Sequence, residues 1–342
     1  MEQNILDKSN FLKMITESPD QFRVGFDLAQ GVSIPGKFRA IMISGMGGSA
    51  LPGNLFRIYL NDLFKTERPS EQPLSIYQNR SYTLPPESFH ECLNFICSYS
   101  GNTEETIASF EEALKSGLPC IALSAGGKIE EMARAHGVPH VKLPIPYDNF
   151  QPRVGTGYFF GVMFQILVNQ GLVPDMTEKL AEEALILRKN MGALEKQGEA
   201  LAQKIAGKTP VIYTAAKYKS VAMVWKIKLN ENAKTPAFWN FFPELNHNEM
   251  VGWTLPQGKF FVLMLRDSLE HPQVLKRLEI TAKLLREKGI EVEILDMEGG
   301  SVYSKVFTSI ALGDFTSYFL ALKYGQDPTP VALVEELKKL LV

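Results

Sequence analysis

The chain has 342 residues, 45% hydrophobic and 22% charged, with 36 basic against 38 acidic side chains and a formal charge of -2. That length holds two ordinary domains, and the composition belongs to folded globular chains rather than disordered ones. The near-neutral balance, without blocks of like charge, gives no electrostatic footprint for nucleic acid or an anionic membrane surface.

The N-terminus MEQNILDKSNFLKMI lacks a basic stretch followed by an apolar core, so no secretory signal is expected. Short β-branched and aromatic runs then alternate with helix-length amphipathic segments, the pattern of a parallel sheet covered on both faces. In the first half the expected strands are FRAIMIS (38–44), PLSIY (73–77), LNFICS (93–98), PCIALS (119–124) and HVKLPI (140–145). The most apolar stretch, GYFFGVMFQILVNQGLV from Gly157, is broken by Gln165, Asn169 and Gln170 and is short for a bilayer, so it predicts a buried core helix. It opens a helical region to about Lys208. In the second half PVIYTAA (210–216), PAFWNFF (236–242), KFFVLML (259–265) and EVEILDM (291–297) repeat the plan, with a helical tail from about Asp314. Two doubly wound parallel-sheet α/β domains follow, residues 1–155 and 156–342, cut near Gly155. Cys92, Cys97 and Cys120 are odd in number and lack metal-ligand spacing, which reads as reduced thiols in a cytoplasmic protein.

Two loops carry the chemistry of the first half. After the first strand, Gly45, Gly47 and Ala50 in SGMGGSALPG satisfy G-x-G-x-x-A, a dinucleotide fingerprint. That reading needs a carboxylate at the end of the next strand for a ribose hydroxyl, and the chain offers Tyr77, Gln78, Asn79 and Arg80 there. A phosphomonoester needs main-chain amides at a helix N-terminus together with short hydroxyl donors. Gly47, Gly48 and Ser49 supply the first set; Ser98, Ser100 and Thr103, in SYSGNTEET after the third strand, supply the second. The competing reading of these hydroxyls is a helix cap. Two such loops in one half favour a ligand, and the second half, with only Thr214 and Ser220 in YTAAKYKS, is not expected to hold another phosphate.

The segments GMGGSALPG and SYSGNTEET resemble the phosphate-binding stretches of sugar isomerase (SIS) domains, which have a flavodoxin-like fold. With FQPRVGTGY, KLNENAKTPAF and FPELNHNEMVGW, the chain resembles the bifunctional phosphoglucose/phosphomannose isomerases over nearly its whole length. The resemblance implies reversible interconversion of glucose 6-phosphate or mannose 6-phosphate with fructose 6-phosphate through a cis-enediolate, without cofactor or metal. It also implies a homodimer with active sites shared between subunits. Glu231, in NENAK, would be the base that carries the proton between C2 and C1; by itself it reads as a solvated helix-end carboxylate. His247, in ELNHNE, would open the ring from the neighbouring subunit. Arg153, in QPRVG, would stabilise the enediolate, its plain alternative being a domain-boundary salt bridge. Lys338, beside Lys339 in the terminal helix DPTPVALVEELKKLLV, would assist ring opening; the pair otherwise reads as solvated charge favouring the helix dipole.

Glu244 and Glu249 flank His247 in a spacing that fits no zinc signature, and EMVGW is expected to orient the loop through Trp253 packing. A non-catalytic phosphosugar-binding SIS regulatory protein would need the phosphate loops but not Glu231, His247, Arg153 and Lys338. All four are present. An amidotransferase-type glucosamine 6-phosphate synthase would require a glutaminase domain for which 342 residues leave no room.

Overall fold

The structure, a computed structural model, describes residues 5–68 and 70–341. The chain divides into two compact units, one of residues 16–188, the other of the N-terminal residues up to Ile15 together with everything from Lys189 onward.

The first unit is built on a five-stranded parallel sheet: β1 (Ala40–Ser44), β2 (Ser75–Asn79), β3 (Cys92–Cys97), β4 (Cys120–Ser124) and β5 (His140–Lys142), in the order β2-β1-β3-β4-β5. Strands β1, β3 and β4 are buried at every position, which explains why they read as unbroken apolar runs rather than alternating ones. After α1 (Phe11–Thr16), the helices of this unit are α2 (Gln21–Leu28), α3 (Gly47–Glu67), α4 (Glu104–Lys115), α5 (Gly127–Ala135) and α6 (Thr156–Asn169). Helix α6, the apolar stretch of the sequence, is buried from Thr156 through Leu167; its Phe160 packs edge-on against Phe22 of α2 and, tilted, against Phe56 of α3. Among the described residues no helix is long and apolar enough to cross a membrane.

Helix α7 (Thr177–Ile205) runs across the unit boundary. The second unit's parallel sheet has the order β7-β6-β8-β9, with β6 (Thr209–Ala215), β7 (Phe238–Phe242), β8 (Phe260–Arg266) and β9 (Glu291–Asp296). Helix α8 (Lys219–Glu231) crosses from β6 to β7, α9 (Pro272–Glu287) from β8 to β9, and α10 (Val302–Lys323) and α11 (Ala332–Leu340) close the chain. One face of this sheet packs Val211, Tyr213, Val262 and Met264 against Leu278, Ala282 and Leu285 of α9 and against Leu245 and Trp253 of the segment after β7. The other face carries α8, whose buried Trp225 donates its indole N–H to Ser309 of α10 at 3.1 Å.

In both sheets the chain reverses its direction of strand addition between the two central strands, β1 and β3 in the first, β6 and β8 in the second. A crevice opens at the C-terminal ends of strands at such a reversal, and ligands of open α/β sheets bind there. The three cysteines are buried free thiols, and burial pushes Cys92 up to about 12 and Cys120 up to about 11.

Candidate active site

At the β1/β3 reversal the two glycine- and hydroxyl-rich loops lie against each other. Gly45 follows β1 so closely beside Cys97 that a Cβ there would stand 2.6 Å from the Cys97 carbonyl oxygen. Ser49, in the first turn of α3, accepts the main-chain N–H of Tyr99 through its Oγ at 3.0 Å, joining one loop to the other. Met46, which precedes α3, gives its first-turn amides no side-chain bond, and Gly47 has φ +47°, a conformation that a side chain would oppose. Of these amides, that of Ser49 donates to the Met46 carbonyl at 3.1 Å, and the turn opens the positive end of a 21-residue helix.

The second loop settles what its hydroxyls do locally. Thr103 precedes α4 yet makes no cap to it; its Oγ1 lies 2.8 Å from Ser98 Oγ. Ser98 is fully buried and accepts the Gly101 amide at 3.1 Å, while exposed Ser100 accepts that of Asn102 at 3.3 Å. The helix-cap reading thus fails for Thr103, and the hydroxyls of Ser98 and Thr103 form a pair at the loop base. A third loop, absent from the sequence-level expectation, braces this one. Gly101 (φ +71°) passes so close to Gly126 that a Cβ would fall 1.7 Å from the Gly126 carbonyl oxygen, and Lys128 donates its amide to Asn102 Oδ1 at 3.0 Å. The signal was the SAGGK run after β4, a second glycine pair at a strand end.

Where a dinucleotide site would present a carboxylate, Gln78 on β2 instead donates to the Ala50 carbonyl at 3.0 Å and to Asn54 at 2.8 Å, tying strand to helix. Arg153 lies in a short helical turn, Pro152–Val154, only 5% exposed, with Nη1 donating to Gln151 at 2.8 Å. Its main chain abuts the glycine turn: a Cβ on Gly48 would meet Arg153 Cα at 2.9 Å and the Pro152 carbonyl at 3.1 Å. Because those are backbone atoms, Gly48→Ala is expected to cost about 1–3 kcal/mol. A thermal melt should show the loss, and steady-state kinetics should show KM for a phosphosugar rising about tenfold per 1.4 kcal/mol that falls on the crevice.

The other three candidates lie in the second unit. Glu231 is the last residue of α8, half-buried, and the polar residues around it hold it there. Asn232, fully buried, donates to Ser317 of α10 at 3.0 Å. Lys234 (φ +54°) spreads its ammonium over the carbonyls of Glu231, Asn232 and Pro328 at 3.0, 3.0 and 2.9 Å. A buried ion pair at 2.7 Å joins Lys228, one turn earlier, to Asp314. The polarity of NENAK is therefore inward anchoring of the helix end that carries the carboxylate.

His247 follows β7 in the helical turn Glu244–His247 and is exposed. Glu231 ends a helix on the α8 face, beside the N-terminal end of β7; His247 follows the C-terminal end of that strand in a segment packed on the α9 face. The two residues thus flank β7 at opposite ends and toward opposite faces of the sheet. Lys338, on α11, is 65% exposed by side chain and pairs with Glu335 at 2.7 Å; no residue of α11 is buried. Of the remaining histidines, His140 sits in β5 with Nε2 2.8 Å from Ser124 Oγ, and burial lowers its pKa.

The second sheet's own crevice, between β6 and β8, is filled. Asp267, the residue after β8, stands where Ser98 stands after β3, and it takes Lys305 Nζ at 2.5 Å, the Tyr218 hydroxyl at 2.7 Å and the Leu269 amide at 3.0 Å. Burial opposes its charge, but these donors together outweigh burial and hold its pKa low. No group of three or more histidine, cysteine, aspartate and glutamate side chains placed to hold a metal occurs among the described residues.

Residues 194–341 match the model of the bacterial phospho-glucose isomerase C-terminal SIS domain. Among similar proteins, a bifunctional phosphoglucose/phosphomannose isomerase of Aquifex aeolicus is 34% identical over 88% of this chain and 90% of its own. A D-glucosamine-6-phosphate 4-epimerase of Sulfolobus acidocaldarius is 32% identical over 67% of this chain and 69% of its own. The same fold is found in tagatose-6-phosphate ketose/aldose isomerase from Escherichia coli, with a TM-score of 0.71 at 14% identity, covering 96% of both chains.

Proposed function

Since the chain belongs to the bifunctional phosphoglucose/phosphomannose isomerases, we propose that it interconverts glucose 6-phosphate and mannose 6-phosphate with fructose 6-phosphate, in the cytoplasm and as a homodimer with shared active sites. The reaction is an aldose-ketose isomerisation through a cis-enediolate. The observation that carries the phosphosugar reading is the joined pair of loops at the β1/β3 reversal, where Ser49 bonds the Tyr99 amide and Thr103 leaves its helix uncapped to pair with Ser98.

In this reading the phosphate dianion meets the glycine turn Gly47–Ser49, where Ser49 would share its amide between the Met46 carbonyl and the phosphate, and the hydroxyls of Ser98, Ser100 and Thr103. Its charge, spread over three terminal oxygens, matches donors arriving from two directions. The self-filled crevice of the second sheet supports one phosphate per chain, because Asp267 already occupies the Lys305 and Tyr218 donors with a carboxylate. Glu231 takes the C2 proton and returns it to C1. The guanidinium of Arg153, permanently charged, stabilises the oxygen charge that develops meanwhile. His247 and Lys338 open the sugar ring by proton transfer at the ring oxygen. The placement of Glu231 and His247 on opposite faces of one sheet supports a site that takes its histidine from a second copy, as a two-fold dimer supplies it to both sites at once.

The test is a coupled assay of the purified protein with glucose 6-phosphate and with mannose 6-phosphate, each with EDTA present. Turnover of both, unchanged by the chelator, is expected. Loss of activity in EDTA with recovery on adding zinc would refute the metal-free mechanism, and turnover of neither sugar would refute the substrate assignment.

A further inference from the structure

His247 is presented by a loop tied down on both sides. On the N-terminal side Leu245 is fully buried among Tyr213, Phe242 and Trp253, and Asn246 donates to Thr281 of α9 at 2.9 Å. On the C-terminal side the carboxylate of Glu249 accepts the Tyr213 hydroxyl on one oxygen and the Asn240 amide on the other. Tyr213 in turn accepts the indole N–H of Trp253 at 3.0 Å, and the Trp253 ring packs edge-on against Phe260 at 5.2 Å. Between these anchors only His247 and Asn248 are exposed, and among the described residues no hydrogen bond engages the imidazole.

Packing of Trp253 alone would hold the far end of the segment, six residues from the histidine. A carboxylate two residues from His247, bonded to two different strands, fixes the near end. Tyr213 lies on β6 and Asn240 on β7, so Glu249 bridges the central and the edge strand and sets the angle at which the loop leaves the sheet. Burial and the neighbouring carboxylate raise the Tyr213 pKa, so the phenol remains a donor across the working range of the protein.

We propose that Glu249 is a positioning residue for ring opening: gripped by Tyr213 and Asn240, it aims the loop that delivers His247 to the active site of a second copy of the chain. The inference rests on the shared-site reading above. It adds that the aim is set by a residue that never meets the sugar. Misplacing a reacting group by about 1 Å costs on the order of a hundredfold in rate, which sets the size of the expected effect.

The experiment compares Glu249→Ala, Glu249→Gln and Tyr213→Phe in the full-length protein, alone and in mixed dimers made by co-expression. Glu249→Ala should lower kcat for fructose 6-phosphate by about 10- to 100-fold, with KM within about twofold because the phosphate loops are untouched. Tyr213→Phe should reproduce part of that loss, and Glu249→Gln, which keeps an acceptor for Tyr213, should recover part of it. In mixed dimers Glu249→Ala should regain activity with Glu231→Gln as partner, since the partner's loop is intact, but not with His247→Ala, since neither chain then aims a histidine. Recovery with His247→Ala, no recovery with Glu231→Gln, or a wild-type kcat in Glu249→Ala would each overturn the proposal. If Glu231→Gln and His247→Ala themselves fail to complement, it is the shared-site reading that falls.

Discussion

Glu231→Gln is expected to bind fructose 6-phosphate as the wild type does and to turn it over about 10²- to 10⁴-fold more slowly, the usual contribution of a general base. The exchange is nearly isosteric and removes only the capacity to take a proton. The helix end is fixed by other groups as well: Lys234 holds the Glu231 main-chain carbonyl, and Asn232 and Lys228 hold α8 to α10. The variant should therefore keep its melting temperature within a degree or two, so that lost turnover reports chemistry rather than unfolding. Comparing the equilibrium binding of fructose 6-phosphate with kcat separates the two. Equal turnover in the variant would remove Glu231 from the role of base, and equal loss of binding would make it a substrate ligand instead.

The second large effect is a recovery. Glu231→Gln and His247→Ala should each be nearly inactive alone, yet co-expressed they should regain about a quarter of wild-type activity. Random pairing makes half of the two-fold dimers mixed, and one of the two sites in each mixed dimer has both groups. The reason is the placement of the two residues in one chain: the histidine follows β7 on the α9 face, and the carboxylate precedes that strand on the α8 face. Activity of the mixture measured against total protein is the readout. A mixture as inactive as its parents would mean that each site draws both groups from a single chain.

The sheet architecture was legible because parallel central strands are buried on both faces, so β1, β3, β4, β6 and β8 stand out as short apolar runs between polar turns. Edges blur that signal. β5 was expected to reach Ile145 but ends at Lys142, two residues before Pro144, which cannot donate to a ladder. The last long helix was expected from about Asp314 and begins at Val302. It is buried around most of its circumference, so it has no polar face whose period would mark its start, and its cap, Ser301 bonding the Ser304 amide at 3.0 Å, hides behind a glycine pair.

At the site, residue types announced the phosphate loops, because few roles need glycines and hydroxyls together at a strand end. What the sequence could not announce was mutual arrangement. The clamp of Gly126 on Gly101 joins residues from different loops, and the inward bonds of Asn232 and Lys234 depend on where α10 passes. Asp267 filling the second crevice is invisible for the same reason: Lys305 lies 38 residues away along the chain and meets it only in the fold.

Helix α11 has nine residues and none of them is buried; Leu333, Val334, Leu337 and Leu340 all stand open to water. A segment that short does not sustain its own winding in water, so whatever seats its oily side also decides whether it is wound at all. Lys338 thus has no fixed address of its own. On the proposed reading, a molecule deprived of that seat would keep its grip on phosphate and its base, and would leave the uncoiling of each sugar to His247 alone.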